Sequence, residues 1–132
     1  MPLRHPTLLC ACSLLSALLG GCVAPPAANP GLIDVAERPA ERALLAGMRA
    51  YDDAQYAVAE RSLLQALQAN LASPRDRGVA HKHLAFIYCT SNRVSACEAE
   101  FRAARKADAM FTLSKSEAGH PQWGPVYQRV QP

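Results

Sequence analysis

The stretch from His81 to Ala104, HKHLAFIYCTSNRVSACEAEFRAA, decides the fold. Small or apolar residues stand at Ala85, Cys97, Phe101 and Ala104, with separations of 12, 4 and 3 residues. The separations of 4 and 3 place the later residues on one helix face, and the separation of 12 spans a turn between two helices. This spacing predicts two helices that run in opposite directions and pack closely.

An earlier stretch of the chain has the same spacing. Its four residues with separations of 12, 4 and 3 are Gly47, Ala59, Leu63 and Ala66. The two copies are 38 residues apart, and the segment 70–78, NLASPRDRG, lies between them. Ser73 can cap a helix that begins at Pro74, and Pro39 fits the first position of an earlier helix. Another helical hairpin is therefore expected on the N-terminal side of the stretch 81–104.

The two copies together resemble the tetratricopeptide repeat, a helix–turn–helix unit of 34 residues. Leu84 and Ala85 occupy signature positions of the repeat, and Asn92 stands where the family has a turn glycine. The resemblance implies an all-α fold: two tetratricopeptide-like hairpins in residues 39–111, then short capping helices in 112–132. The alternative is a set of amphipathic helices whose spacing coincides by chance.

The resemblance also implies a binding groove. In tetratricopeptide folds the first helix of each repeat lines a groove that receives a segment of a partner protein. Six residues map to groove positions: Leu44, Met48, Tyr51, Val79, Lys82 and Phe86. Of these residue types, tyrosine, methionine and phenylalanine are enriched at the centres of interfaces. Two alternatives remain open: the C-terminal segment covers this surface, or Met48 and Phe86 belong to the core.

The sequence after the second copy departs from the repeat. Ser114 and Glu117 have the spacing of a capping box, which predicts a short helix. The turn-rich run 119–125, GHPQWGP, interrupts the helical pattern before a last short helix. We expect Trp123 to be packed, with its indole N–H bonded to a carbonyl.

The N-terminus has the features of an export signal. An apolar run at 7–19, TLLCACSLLSALL, follows Arg4. This run is too short to cross a hydrocarbon core of ~30 Å, so residues 1–21 are predicted to be a signal peptide. The next letters, LGGC at 19–22, resemble the bacterial lipobox. That resemblance implies cleavage between Gly21 and Cys22 and attachment of acyl chains such as palmitate to Cys22.

A lipidated cysteine would anchor the chain to a membrane. Several acyl chains on one residue give stable anchoring. Val23 replaces the aspartate that commonly retains bacterial lipoproteins in the inner membrane, so the resemblance implies the periplasmic face of the outer membrane. Residues 22–38 are predicted to be the lipidated N-terminus and a Pro/Ala-rich tether. A plain signal peptide with Cys22 as an incidental thiol is the alternative.

Export would place Cys89 and Cys97 in an oxidising compartment. One lies at the end of a predicted helix and the other at the start of the next, so they can face each other across the hairpin. We predict a disulfide, which contributes about 2–3 kcal/mol over so short a loop. The alternatives are unpaired buried thiols or a metal site with His81, His83 or His120. His81 and His83 lie on different helix faces, which disfavours joint chelation. No metal or other cofactor is expected.

Composition and motifs exclude several functions. The 132 residues allow one domain, and the formal net charge of +3 comes without any block of like charges, so no nucleic-acid partner is expected. The sequence contains no glycine-rich phosphate loop, no GxSxG and no HExxH pattern. We therefore predict that the protein is not an enzyme.

The C-terminal half is similar to a narrower family. The residues that carry this similarity are Tyr88, Cys89, Cys97, Glu100, Phe101, Arg102, Ala104, Asp108, Phe111, Leu113, Glu117 and the run GHPQWGPVY at 119–127. They resemble the TssQ family of small tetratricopeptide lipoproteins associated with type VI secretion. The resemblance implies an accessory periplasmic component without catalytic residues.

These observations predict an outer-membrane-anchored adaptor that binds envelope secretion or assembly proteins through its groove and the membrane through Cys22. One alternative is a tetratricopeptide lipoprotein of pilus biogenesis or outer-membrane protein assembly. The other is a small periplasmic thiol enzyme.

Overall fold

The structure, a computed structural model, describes residues 31, 33–34 and 37–131. The predicted signal peptide, Gly21, Cys22 and most of the tether lie outside the described residues. Six helices are described in full: α1 (Pro39–Asp52), α2 (Tyr56–Gln68), α3 (Pro74–Thr90), α4 (Val94–Ala107), α5 (Lys115–Ala118) and α6 (Gly124–Arg129). No residue of the described ranges forms a strand, and the predicted all-α fold is confirmed.

No helix within the described ranges is long and apolar enough to span a bilayer.

The helix starts follow the capping residues. α1 begins at Pro39 and α3 at Pro74, where the missing proline N–H costs no intrahelical bond. The Ser73 hydroxyl accepts a hydrogen bond from the Asp76 N–H at 3.2 Å, as its N-cap position predicts. Each of these starts confirms the prediction made from the sequence.

α1 and α2 form the first hairpin, and their close approach depends on a glycine. A Cβ atom added to Gly47 would lie 2.8 Å from Cγ of Leu63, closer than real Cβ atoms come to a neighbour. Leu63 is fully buried. Gly47 therefore allows the leucine to fill the space between the two helices.

α3 and α4 form the second hairpin, and α3 is the centre of the domain. It contacts α1, α2 and α4, packing more extensively on α2 than on α1. Every residue from His83 to Cys89 is buried, so these nearly two turns of the helix have no solvent-exposed face. The core is built around α3, with Leu84 and Ile87 almost completely removed from solvent.

The two hairpin turns have the same backbone conformation at equivalent positions. Ala54 has φ 59° and Asn92 has φ 61°, and these residues are separated by the same 38 positions as the two copies. Asparagine tolerates this left-handed region, whereas for alanine its Cβ makes the conformation unfavourable by about 1–2 kcal/mol.

The different tolerance of alanine, asparagine and glycine for positive φ gives a test of the assigned turn conformation. Ala54→Gly should raise the free energy of unfolding by up to about 1 kcal/mol, because glycine adopts the left-handed conformation without a steric penalty. Asn92→Ala should lower it by a similar amount. Urea unfolding followed by circular dichroism measures both changes. A loss of stability in Ala54→Gly would contradict the assigned turn.

The C-terminal residues pack back onto α3 and α4. The capping box predicted at the start of α5 is present, because the Ser114 hydroxyl accepts from the Glu117 N–H and the Glu117 carboxylate accepts from the Ser114 N–H. The Leu113 N–H donates to the buried Tyr127 hydroxyl at 3.2 Å, and the Arg105 guanidinium donates to the Val130 carbonyl at 2.8 Å. These bonds fix the segment to the preceding hairpin.

A candidate protein-binding surface

The six predicted groove residues differ in exposure. Leu44 and Phe86 are buried, with 5% and 4% of their surface exposed. This corrects the predicted lining at these two positions and agrees with the alternative that Phe86 belongs to the core. The other four predicted residues remain partly exposed: Met48, Tyr51, Val79 and Lys82.

These four residues lie on adjoining helix faces. Met48 and Tyr51 are three residues apart on α1, and Val79 and Lys82 are three apart on α3, so each pair shares one side of its helix. The rings of Tyr51 and Phe86 have centroids 6.4 Å apart, which joins the two helices along this side. We call the partly exposed set Met48, Tyr51, Val79 and Lys82 the α1–α3 face.

A series of neighbouring rings runs beneath and beside this face. Its members, in spatial order, are Tyr56, Tyr51, His83, Phe86, Trp123 and His120. Successive centroids are separated by 5.6, 5.2, 6.2, 4.2 and 3.3 Å. The ring series links the first hairpin to α3 and α3 to the C-terminal segment.

Trp123 covers the α3 end of the predicted groove. Its ring stacks on Phe86, and its indole N–H donates to the Glu117 carbonyl at 2.8 Å. The predicted packing of Trp123 and its bond to a carbonyl are therefore confirmed. The C-terminal segment thus occupies space that an open groove would leave to a partner.

Lys82 is held by the same C-terminal segment. Its ammonium group donates to Glu117 Oε1 at 2.7 Å, while Glu117 Oε2 accepts from the Ser114 N–H at 2.9 Å. Burial raises the pKa of Glu117, but the hydrogen bonds from Lys82 and Ser114 outweigh it and hold the pKa below its ordinary value. One carboxylate oxygen therefore links the C-terminal segment to α3, and the other stabilises the start of α5.

The histidines point in different directions. His81 Nδ1 lies 2.6 Å from Glu100 Oε2 on α4, whereas His83 packs against Tyr51 of α1. His120 stacks on Trp123 at the far end of the ring series. Among the residues that the structure describes, no three His, Cys, Asp or Glu side chains are grouped so that they could hold a metal ion.

His83 should make stability depend on pH. Burial lowers its pKa, and the charge of Lys82 lowers it further, while the Val79 carbonyl, Asp52 and Glu117 act in the opposite direction. The neutral ring is therefore favoured in the folded state, whereas the unfolded chain takes up a proton below about pH 6.5. Because the unfolded state then binds more protons, stability falls as the pH falls.

The expected decline between pH 7 and 5 is at most about 1.4 kcal/mol per pH unit for one proton. Urea unfolding at several pH values measures it, and His83→Gln should flatten the curve in this range. An equally steep curve in the variant would assign the pH dependence to other groups.

Cys89 and Cys97 are joined by a disulfide between α3 and α4, with Cα atoms 5.2 Å apart. Both residues are buried. The bridge lies at the closed end of the second hairpin, near the turn at Asn92, and its position is that of a structural link.

A contact that the sequence pattern does not predict joins the two hairpins near their turns. The Arg93 guanidinium donates two hydrogen bonds to the Glu60 carboxylate, at 2.9 and 2.8 Å, and lies 4.2 Å from the Tyr88 ring centroid. The hydrogen bond from Arg93 holds the pKa of Glu60 below its ordinary value. Burial, followed by the charge of Glu60, raises the pKa of Tyr88 to about 12.

No family model matches this chain, and no curated protein or solved structure shows significant similarity to it.

A second feature is also not predicted by the sequence pattern. A cleft of about 540 Å³ lies between the first turns of α3 and the segment that connects α4 to α5. Its lining residues are Arg75, Val79, Lys82, Asp108, Met110, Phe111 and Thr112. No periodic pattern marks this site, since the segment from 108 to 112 lies outside any helix. The one signal in the sequence is the pair of adjacent large apolar residues, Met110 and Phe111, in a connection outside the helices.

Proposed function

We propose that the protein is a lipoprotein adaptor whose helical domain binds another protein of a bacterial envelope machine, with type VI secretion as the leading candidate. The observation that supports a binding role is the α1–α3 face. It presents apolar and cationic side chains, partly exposed, on the first helices of two adjacent hairpins.

The arrangement of the helices is consistent with a tetratricopeptide-like pair. The equivalent residues Gly47 and Ala85 lie on the first helix of each hairpin, and both turns use the left-handed conformation at equivalent residues. In such a pair the first helices form the surface for a partner segment. Because Phe86 is covered by Trp123, we place the partner on the α1 side, around Met48 and Tyr51.

The proposed location is supported by the N-terminal sequence and by the disulfide. The lipobox at Cys22 supports an anchor in the outer membrane, and the absence of aspartate at position 23 supports the periplasmic face. The buried disulfide fits an oxidising compartment. The tether of residues 22–38 would hold the domain within reach of proteins at the membrane surface.

Photo-cross-linking in living cells tests the proposal. A benzophenone amino acid at Met48 should give specific cross-links to type VI proteins in the full-length, tagged chain. The matched control is the same probe at Gln65, which is exposed on α2 away from the α1–α3 face. Cys22→Ser should abolish the cross-links by removing the membrane anchor.

Tyr51→Ala provides an independent check. It should reduce the yield of the cross-linked partner while the far-ultraviolet circular dichroism remains unchanged. Tyr51 is preferable to Lys82 here, because a change at Lys82 would also break its ion pair with Glu117. Cross-links to pilus or outer-membrane assembly proteins would support an adaptor and reject type VI secretion. Equal cross-linking from Met48 and Gln65 would reject the proposed face.

A further inference from the structure

The cleft between α3 and the connection after α4 has the size of a ligand site. Its volume of about 540 Å³ falls within the ~300–1,000 Å³ typical of such sites. α3 approaches the connection closely at Gly78, where an added Cβ would lie 3.3 Å from the Asp108 Cβ and 3.6 Å from the Phe111 ring. The close approach at Gly78 brings the two sides of the cleft together.

One wall of the cleft is apolar and adaptable. Val79 and Phe111 are half-buried and pack against the core, while Met110 is 86% exposed. A methionine side chain is flexible and polarisable, so it can adjust to the shape of an apolar group. This wall therefore suits an aliphatic or aromatic side chain.

Among the described residues, the cleft has one cation without an ion-pair partner, Arg75, and one carboxylate without a cationic partner, Asp108. Lys82 is paired with Glu117, and Asp108 Oδ1 accepts a hydrogen bond from the Met110 N–H at 2.9 Å. Arg75 is exposed at the edge of the cleft, and within the described ranges it makes no ion pair or side-chain hydrogen bond. A guanidinium group binds a carboxylate through two parallel hydrogen bonds. The Arg75 guanidinium, rather than the cleft as a whole, is thus complementary to an acidic group.

We propose that the cleft binds a short segment of a partner protein in which a carboxylate lies next to an apolar side chain. The carboxylate contacts Arg75, and the apolar side chain packs against Met110 and Phe111. The cleft is continuous with the α1–α3 face, because Val79 and Lys82 belong to both. This inference rests on the proposed adaptor function and adds the chemistry of the bound segment.

A peptide selection tests the inference directly. A random-peptide phage library is selected on the full-length chain in detergent, and the most enriched peptide is synthesised with a fluorescent label. We expect enrichment of Asp or Glu next to Leu, Ile, Phe or Met. Fluorescence polarisation should then show about tenfold weaker binding to Arg75→Glu, because the charge-assisted hydrogen bonds are replaced by repulsion.

Two controls make the result specific. Arg61→Glu changes an exposed arginine on α2, outside the cleft, and should leave the affinity unchanged. A peptide with lysine in place of its acidic residue should bind Arg75→Glu more tightly than it binds the unaltered chain. Arg75→Glu itself should fold, since an acidic residue in the first turn of a helix is favourable.

The outcomes separate this inference from the proposed function. The proposed binding of an acidic segment in the cleft is rejected if no peptide is enriched, if enriched peptides lack acidic residues, or if Arg75→Glu binds them equally well. If Met48 nevertheless gives specific cross-links in cells, the adaptor function stands without the cleft. If the charge exchange succeeds but Met48 gives no specific cross-links, the cleft is supported and the proposed α1–α3 face is rejected.

Discussion

Replacing Trp123 by alanine should lower the free energy of unfolding by about 3–5 kcal/mol, the range for removing a large buried aromatic side chain. Trp123 is 9% exposed, stacks on Phe86 and donates to the Glu117 carbonyl. Its loss would leave a cavity against α3 and remove the contact that holds the C-terminal segment there.

Urea unfolding followed by circular dichroism at 222 nm measures this effect. Trp123→Phe should lose less, because it keeps an aromatic stack while losing the indole N–H. The matched control is Gln122→Ala at the exposed neighbouring position, which should change stability by no more than about 0.5 kcal/mol. A loss below about 1 kcal/mol in Trp123→Ala would contradict the integration of the C-terminal segment into the core.

Removing the disulfide should have the next largest effect. The double variant Cys89→Ala and Cys97→Ala should be about 2–3 kcal/mol less stable, because the unfolded chain is no longer constrained by the loop. Both side chains are buried, so small cavities add to the loss. Alanine is chosen because it leaves no unpaired thiol or hydroxyl in the core.

Unfolding curves of the oxidised chain and of the double variant give the comparison, and mass spectrometry after alkylation verifies the oxidised state. Treatment of the unaltered chain with reductant should reproduce most of the loss. Because α3 and α4 also pack through Phe101 and Leu84, the variant should remain folded at 25 °C. Equal stability with and without the bridge would show that the loop constrains the unfolded chain very little.

The helices could be predicted from the sequence, but the solvent exposure of their side chains in the folded domain could not. Local rules predicted the caps at Ser73 and Ser114 because a helix start depends on a few adjacent residues. Met48 and Phe86 occupy equivalent positions, 38 residues apart, yet Met48 is half-buried and Phe86 is buried. The difference arises because Trp123 covers Phe86, and repeat spacing carries no information about the path of the C-terminal segment.

The contacts that sequence reasoning missed are all distant in the chain. Arg93 and Glu60 are 33 residues apart, and Lys82 and Glu117 are 35 apart. Each pair depends on how one hairpin or segment is placed against another, which the spacing within a single helix does not determine. The two cysteines were easier to predict, because only the short turn between α3 and α4 separates them.

The position of the single tryptophan gives the domain an internal optical reporter. Trp123 lies where the C-terminal segment meets α3, and its ring stacks on both His120 and Phe86. Its fluorescence emission should therefore shift to longer wavelength when this junction alone opens to water. Comparing the emission with the circular dichroism signal during unfolding would show whether the segment detaches before the helices melt.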